Sequence, residues 1–99
     1  MTDHSRCRTY LVEHYWPGVT AEEFASAADR VRASAEELTS AGRPVRYLHA
    51  TLVPEDAAAF CVLSAASGDL IEQVYAHAQV TFERIVDAVE TEPLRGAQG

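Results

Sequence analysis

Near the middle of the chain, Pro54-Glu55-Asp56 parts two β-forming runs by a turn too short to hold a helix, while each outer β-forming run is reached through one amphipathic helical stretch. The order is β-α-β-β-α-β. Two right-handed β-α-β crossovers interleave into a four-stranded antiparallel sheet with both helices on one face, a ferredoxin-like α+β architecture. The 99 residues allow one domain of this size and no more. The expected domain spans residues 1–90, with 91–99 as a flexible tail rich in Gly and Pro.

The first strand is expected from Arg8 to Trp16, where Thr9-Tyr-Leu-Val-Glu-His-Tyr15 is rich in β-formers, and Pro17-Gly18 stops it. Thr20-Ala21-Glu22-Glu23 is a capping box, and Val19 and Phe24 occupy the two positions of a hydrophobic staple. Phe24, Ala28, Val31, Ala35 and Leu38 then step by four and three along one face, which predicts a helix over 21–41. Gly42 suits the C′ position, and Pro44 prevents continuation. Val45–Val53 and Ala57–Ala65 form the central hairpin. Ser67 opens a second helix whose stripe is Leu70, Ile71, Val74 and Ala78, and Phe82–Val89 is the fourth strand.

Alternation assigns side chains to the two faces of such a sheet. Tyr10, Val12, Leu48, Ala50 and Leu52 suit the helix side. Leu11, Glu13, Tyr15, Tyr47, His49 and Thr51 then take the open side. An even hairpin loop adds Phe60 and Val62 to the open side, and an odd one puts Cys61 there instead, because a slip of one residue exchanges faces. An open face of this apolar and aromatic content is too large to leave in water. It predicts a homodimer closed through the open sheet faces into an α+β barrel.

Composition removes several functions. All 8 basic residues are Arg, with 15 acidic residues and a formal net charge of -7. Without Lys there is no Schiff-base or P-loop lysine, and without Asn there is no acylphosphatase-like catalysis on this fold. RNA-recognition modules share this strand order and place aromatics on the open face, but the acidic balance and the lack of a basic stripe argue against nucleic acid. No apolar run is long enough to span a membrane and no signal-peptide pattern is present, so cytoplasmic residence with reduced Cys7 and Cys61 is expected.

Glu13, His14 and His49 are the expected chemical centre. Imidazole and carboxylate together suit Ni, Zn, Cu or Fe, and equally general acid–base work. Glu13 and His14 are adjacent on a strand and point to opposite faces, so Glu13 and His49 are the pair that can share the open side. A metal there needs further donors from a second subunit or water. A small ligand would meet Glu13, Tyr15, Tyr47, His49 and Phe60. Cys61 is expected to be a small buried hydrophobe. His4 with Cys7 is a soft-metal pair, His77 a partly exposed surface histidine, and Glu83-Arg84 part of a surface or dimer-rim ion pair.

The stretches Tyr10–Thr20, Gly42–Leu48, Thr51–Asp56, Phe60-Cys61 and Phe82–Val86 resemble a family of small bacterial proteins, catalogued as a domain of unknown function with a nickel-binding, ferredoxin-like representative. The resemblance spans Arg8 to Val89. It implies a ferredoxin-like fold, a dimer, and affinity for nickel or another divalent transition metal. The metal-binding branch carries a His before Ala-Asp in the first helix, where this chain has Ala27-Ala28-Asp29. It also carries Ala-His-Gly late in the second helix, where this chain has His77-Ala78-Gln79. One helical position rotates a side chain by about 100°. The expectation is therefore a binding or accessory protein, with a dimeric α+β barrel enzyme of cyclase, isomerase or monooxygenase type as the alternative.

Overall fold

The computed structural model describes residues 7–91. In chain order the elements are β1 (Arg8–Tyr15), α1 (Ala21–Ser40), β2 (Val45–Val53), a 3-10 turn (Pro54–Asp56), β3 (Ala58–Ala65), α2 (Gly68–Ala78) and β4 (Arg84–Ala88). The sheet order is β2-β3-β1-β4, with every neighbouring pair antiparallel. This is the ferredoxin-like arrangement. Residues 92–99 of the expected tail, and His4 of the expected His4–Cys7 pair, lie outside the described residues.

Local chemistry explains the ends of α1. The Thr20 hydroxyl accepts from the Glu23 amide at 3.0 Å, and the Glu23 carboxylate accepts from the Thr20 amide at 3.0 Å. At the other end Gly42 takes φ +90°, its amide bonds the Thr39 carbonyl at 3.0 Å, and the Arg43 amide bonds the Leu38 carbonyl at 2.9 Å. These paired bonds satisfy carbonyls that the helix itself leaves open. The buried stripe is Ala27, Val31, Ser34, Ala35 and Leu38, shifted from the expected one at Ala27 and Ser34. Ser34 tolerates burial because its hydroxyl donates to the Val74 carbonyl at 2.8 Å, which also ties α1 to α2.

One continuous core lies between the helices and the sheet, with Tyr10, Val12, Cys61, Leu63, Ala65, Val31, Ile71, Val74 and Tyr75 among its members. β4 begins at Arg84 rather than Phe82, and Phe82 packs against this core instead. The hairpin takes the even alternative: Val53 pairs with Ala58, so Phe60 and Val62 fall on the open face and Cys61 under the helices.

The structure corrects one face assignment. Tyr47 pairs with Leu63, but His49 pairs with Val62, so Leu48 is an extra residue in β2. A bulge of this kind reverses the alternation across it. Val45 and Tyr47 therefore join Ala50 on the helix side, and Tyr47 packs against the core there, not on the open face. Leu48 is half-buried and lies outside the set packed against that core.

Candidate functional site

Two rows of side chains cross the open face. One runs His49, Val62, Leu11, Val86, and the next runs Thr51, Phe60, Glu13, Arg84. The first is an apolar band ending in an imidazole. In the second, Arg84 grips Glu13 with two bonds, Nε to Oε1 at 2.9 Å and an Nη to Oε2 at 3.1 Å. The Arg84 guanidinium is held in its charged form chiefly by that hydrogen bonding. Glu83 takes no part through its carboxylate, and its amide donates to the Glu13 carbonyl at 2.7 Å. Tyr15 stands exposed at the end of β1, and Phe60 is half-buried.

His49 Nε2 lies 3.4 Å from Glu90 Oε2. β2 and β4 are opposite edges of the sheet, roughly 14 Å apart at three strand spacings. The contact therefore requires the segment after β4 to turn back over the open face. It makes a half-exposed imidazole–carboxylate pair at the rim of the apolar band. A second such pair joins His77 to Glu37 on the helix side, so His77 is a surface histidine with a partner. The sequence offered no sign of the Glu90 pairing, because Glu90 lies beyond the last strand.

The three expected metal ligands do not converge within one chain. Glu13 is occupied by Arg84, His49 by Glu90, and His14 is buried on the other side of the sheet. Among the described residues no three His, Cys, Asp or Glu side chains gather as a metal site. Cys61 is buried, and burial pushes its thiol pKa up, while Cys7 is exposed at the start of β1.

His14 is 7% exposed. Its Nδ1 lies 3.0 Å from the Ala59 carbonyl, and its ring centroid is 5.5 Å from that of Tyr75. A carbonyl only accepts, so Nδ1 carries the proton and Nε2 is left uncommitted. Burial lowers the His14 pKa below 6.5, and the Ala59 carbonyl offsets part of that. The unfolded chain takes up this proton at higher pH than the folded one. Stability is thus complete above pH 6.5 and is lost as pH falls from there through the folded pKa. Thermal melts between about pH 7.5 and about pH 5 are expected to fall more steeply for the natural chain than for His14→Gln. Parallel profiles would mean that some other group carries the acid sensitivity.

His14 also lines a cavity of about 210 Å³ with Tyr15, Trp16, Arg30, Gln79 and Thr81. Gln79 ends α2 at φ +60° and turns the chain past β1. Sequence reasoning missed this cavity, whose walls come from β1, α1 and the end of α2. The signal it could have used is the continued alternation from Tyr10 and Val12 to His14. A wider groove adjoins it, sharing Gln79, Val80 and Thr81 and adding Tyr75 and Phe82.

Comparison with known proteins gives two matches. The model of a family described as nickel responsive protein SCO4226-like matches residues 10–87. The crystal structure of SCO4226 from Streptomyces coelicolor A3(2) superposes with a TM-score of 0.72 at 15% identity, covering 85% of this chain and 99% of that one. At that identity the likeness speaks to the fold. No curated protein matches the chain.

Proposed function

The chain belongs to the nickel responsive protein SCO4226-like family, and on that premise we propose that it is a small accessory protein that binds nickel between two copies of itself. The observation that carries this reading is the His49–Glu90 pair, 3.4 Å apart, at the rim of the apolar sheet face opposite the helices. Imidazole and carboxylate are suitable nickel donors. One copy supplies two of them, fewer than a complete shell, so the fit depends on a second copy contributing the same pair. Leu11, Phe60, Val62 and Val86 form the apolar part of the proposed contact. In this reading Glu13 serves the interface through Arg84, Tyr15 stands at its edge, and His14 and Tyr47 face the helices outside it. His49 and Glu90 of each copy would hold the ion, whose positive charge would link the two faces.

The proposal places the protein in the cytoplasm, with its thiols reduced, and assigns it neither nucleic acid nor membrane as partner. Among the described residues no helix is long and apolar enough to cross a membrane. Calorimetric titration with nickel chloride is the direct test. One nickel ion per two chains is expected, with binding weakened at least about tenfold by His49→Ala. Equal affinity in the two proteins would remove His49 from the site, and no heat of binding in either would reject the nickel reading.

A further inference from the structure

We propose that the cavity beside His14 is a binding site for a small carboxylic acid that also carries a hydroxyl group. It lies at one end of the helix side and is separate from the open face. Arg30 is the anchor: its Nε donates to the Ala78 carbonyl at 3.2 Å, which fixes the guanidinium against the end of α2. Among the described residues Arg30 forms no ion pair, nor do Arg43 and Arg46, and of these three it is Arg30 that lines this cavity. Its remaining N–H groups are therefore available to a carboxylate, the partner that a guanidinium fork suits best.

His14 supplies the second polar contact. Its Nδ1 is committed to Ala59, and Nε2 has no hydrogen-bond partner among the described residues. Nε2 is not among the sealed, unpartnered side-chain atoms of those residues, so it keeps some exposure, and His14 lines this cavity. A neutral imidazole with Nδ1 protonated accepts a hydrogen bond at Nε2. A solute hydroxyl satisfies it, and an acid lacking that hydroxyl leaves it unfilled.

Size and surroundings narrow the class. About 210 Å³ corresponds to roughly seven water molecules, room for a small organic acid. The adjoining groove past Val80 and Phe82 is mainly apolar and accommodates a ring or short hydrocarbon group. Glu72 also borders that groove, which disfavours a second carboxylate at the far end. The net charge of -7 opposes anions at long range, so the contact with Arg30 must supply the attraction locally.

The test uses mandelate and phenylacetate, which differ by one hydroxyl, titrated into the isotope-labelled protein and followed by amide NMR. Mandelate is expected to shift the Trp16, Gln79 and Thr81 signals and to bind about tenfold more tightly than phenylacetate. Arg30→Gln, a change at an exposed helix position, is expected to weaken both acids at least about tenfold. His14→Phe keeps a buried ring and is expected to erase the preference between them. No saturable binding, shifts confined to another surface, or unchanged affinity in Arg30→Gln would overturn the proposal. Should His14→Phe fail to fold, the hydroxyl preference of the natural chain and the Arg30→Gln result still decide it.

Discussion

Leu11→Asp is expected to turn the proposed dimer into a monomer while leaving the fold intact. Leu11 sits in the apolar band, directly opposite Val62 on one side and Val86 on the other. It lies on the open face, so the core under the helices is untouched. In a two-fold contact the substitution buries two carboxylates, and each loses hydration worth several kcal/mol with no cation opposite. A loss of roughly 4 kcal/mol corresponds to about a thousandfold weaker association. Sedimentation velocity reads the change in mass, and circular dichroism reads the retained fold. On the proposed nickel reading, uptake is expected to fall with it, because one copy alone would bring only His49 and Glu90. A natural chain that already sediments as a monomer at micromolar concentration would sink the dimer proposal. A Leu11→Asp dimer would move the contact to another face.

Tyr75 carries the largest expected effect on stability. It is 1% exposed, the largest of the fully buried side chains. Its ring packs with Phe82 edge-to-face at 5.3 Å and with His14 at 5.5 Å between centroids. Tyr75→Ala removes the ring and leaves a cavity, which is expected to cost about 4 kcal/mol and roughly 20 °C of melting temperature. The hydroxyl behaves oppositely. It is buried with no oxygen or nitrogen partner among the described residues, and the weakly accepting Cys61 sulphur is its polar neighbour, so it has lost water for little in return. Burial pushes its pKa far up, and nearby Cys61 adds to that. Tyr75→Phe is therefore expected to raise stability by about 1 kcal/mol. A melting temperature that falls in Tyr75→Phe would show that the hydroxyl does have a partner, the Cys61 sulphur being the neighbouring group.

The fold was legible because its signals are local. The Thr20–Glu23 box and Gly42 fall where a helix of this phase must begin and end. The short Pro54–Asp56 turn forces β2 and β3 into a hairpin, and the order of elements leaves few topologies. Tyr47 was not legible, because alternation carries a face assignment only while the register holds. The extra residue at Leu48 changes hydrogen bonding to β3, and nothing in Val45–Val53 marks it. The candidate site was legible as residue types and not as partnerships. Glu13 and His49 are on the open face as expected. Arg84 is 71 positions from Glu13 along the chain and still takes its carboxylate.

What the sequence determined by itself is the set of elements, the ends of α1, and the division of β1 and β3 into two faces. Each follows from interactions between residues a few positions apart. The tertiary structure alone decided that Glu13 meets Arg84, that His49 meets Glu90 across the sheet, and that His14 shares a cavity with Arg30 and Gln79. Those contacts join elements far apart in sequence, and their geometry depends on register, on one bulge and on how two helices settle over the sheet. Such quantities are set by the packing of the whole core, which no local pattern encodes.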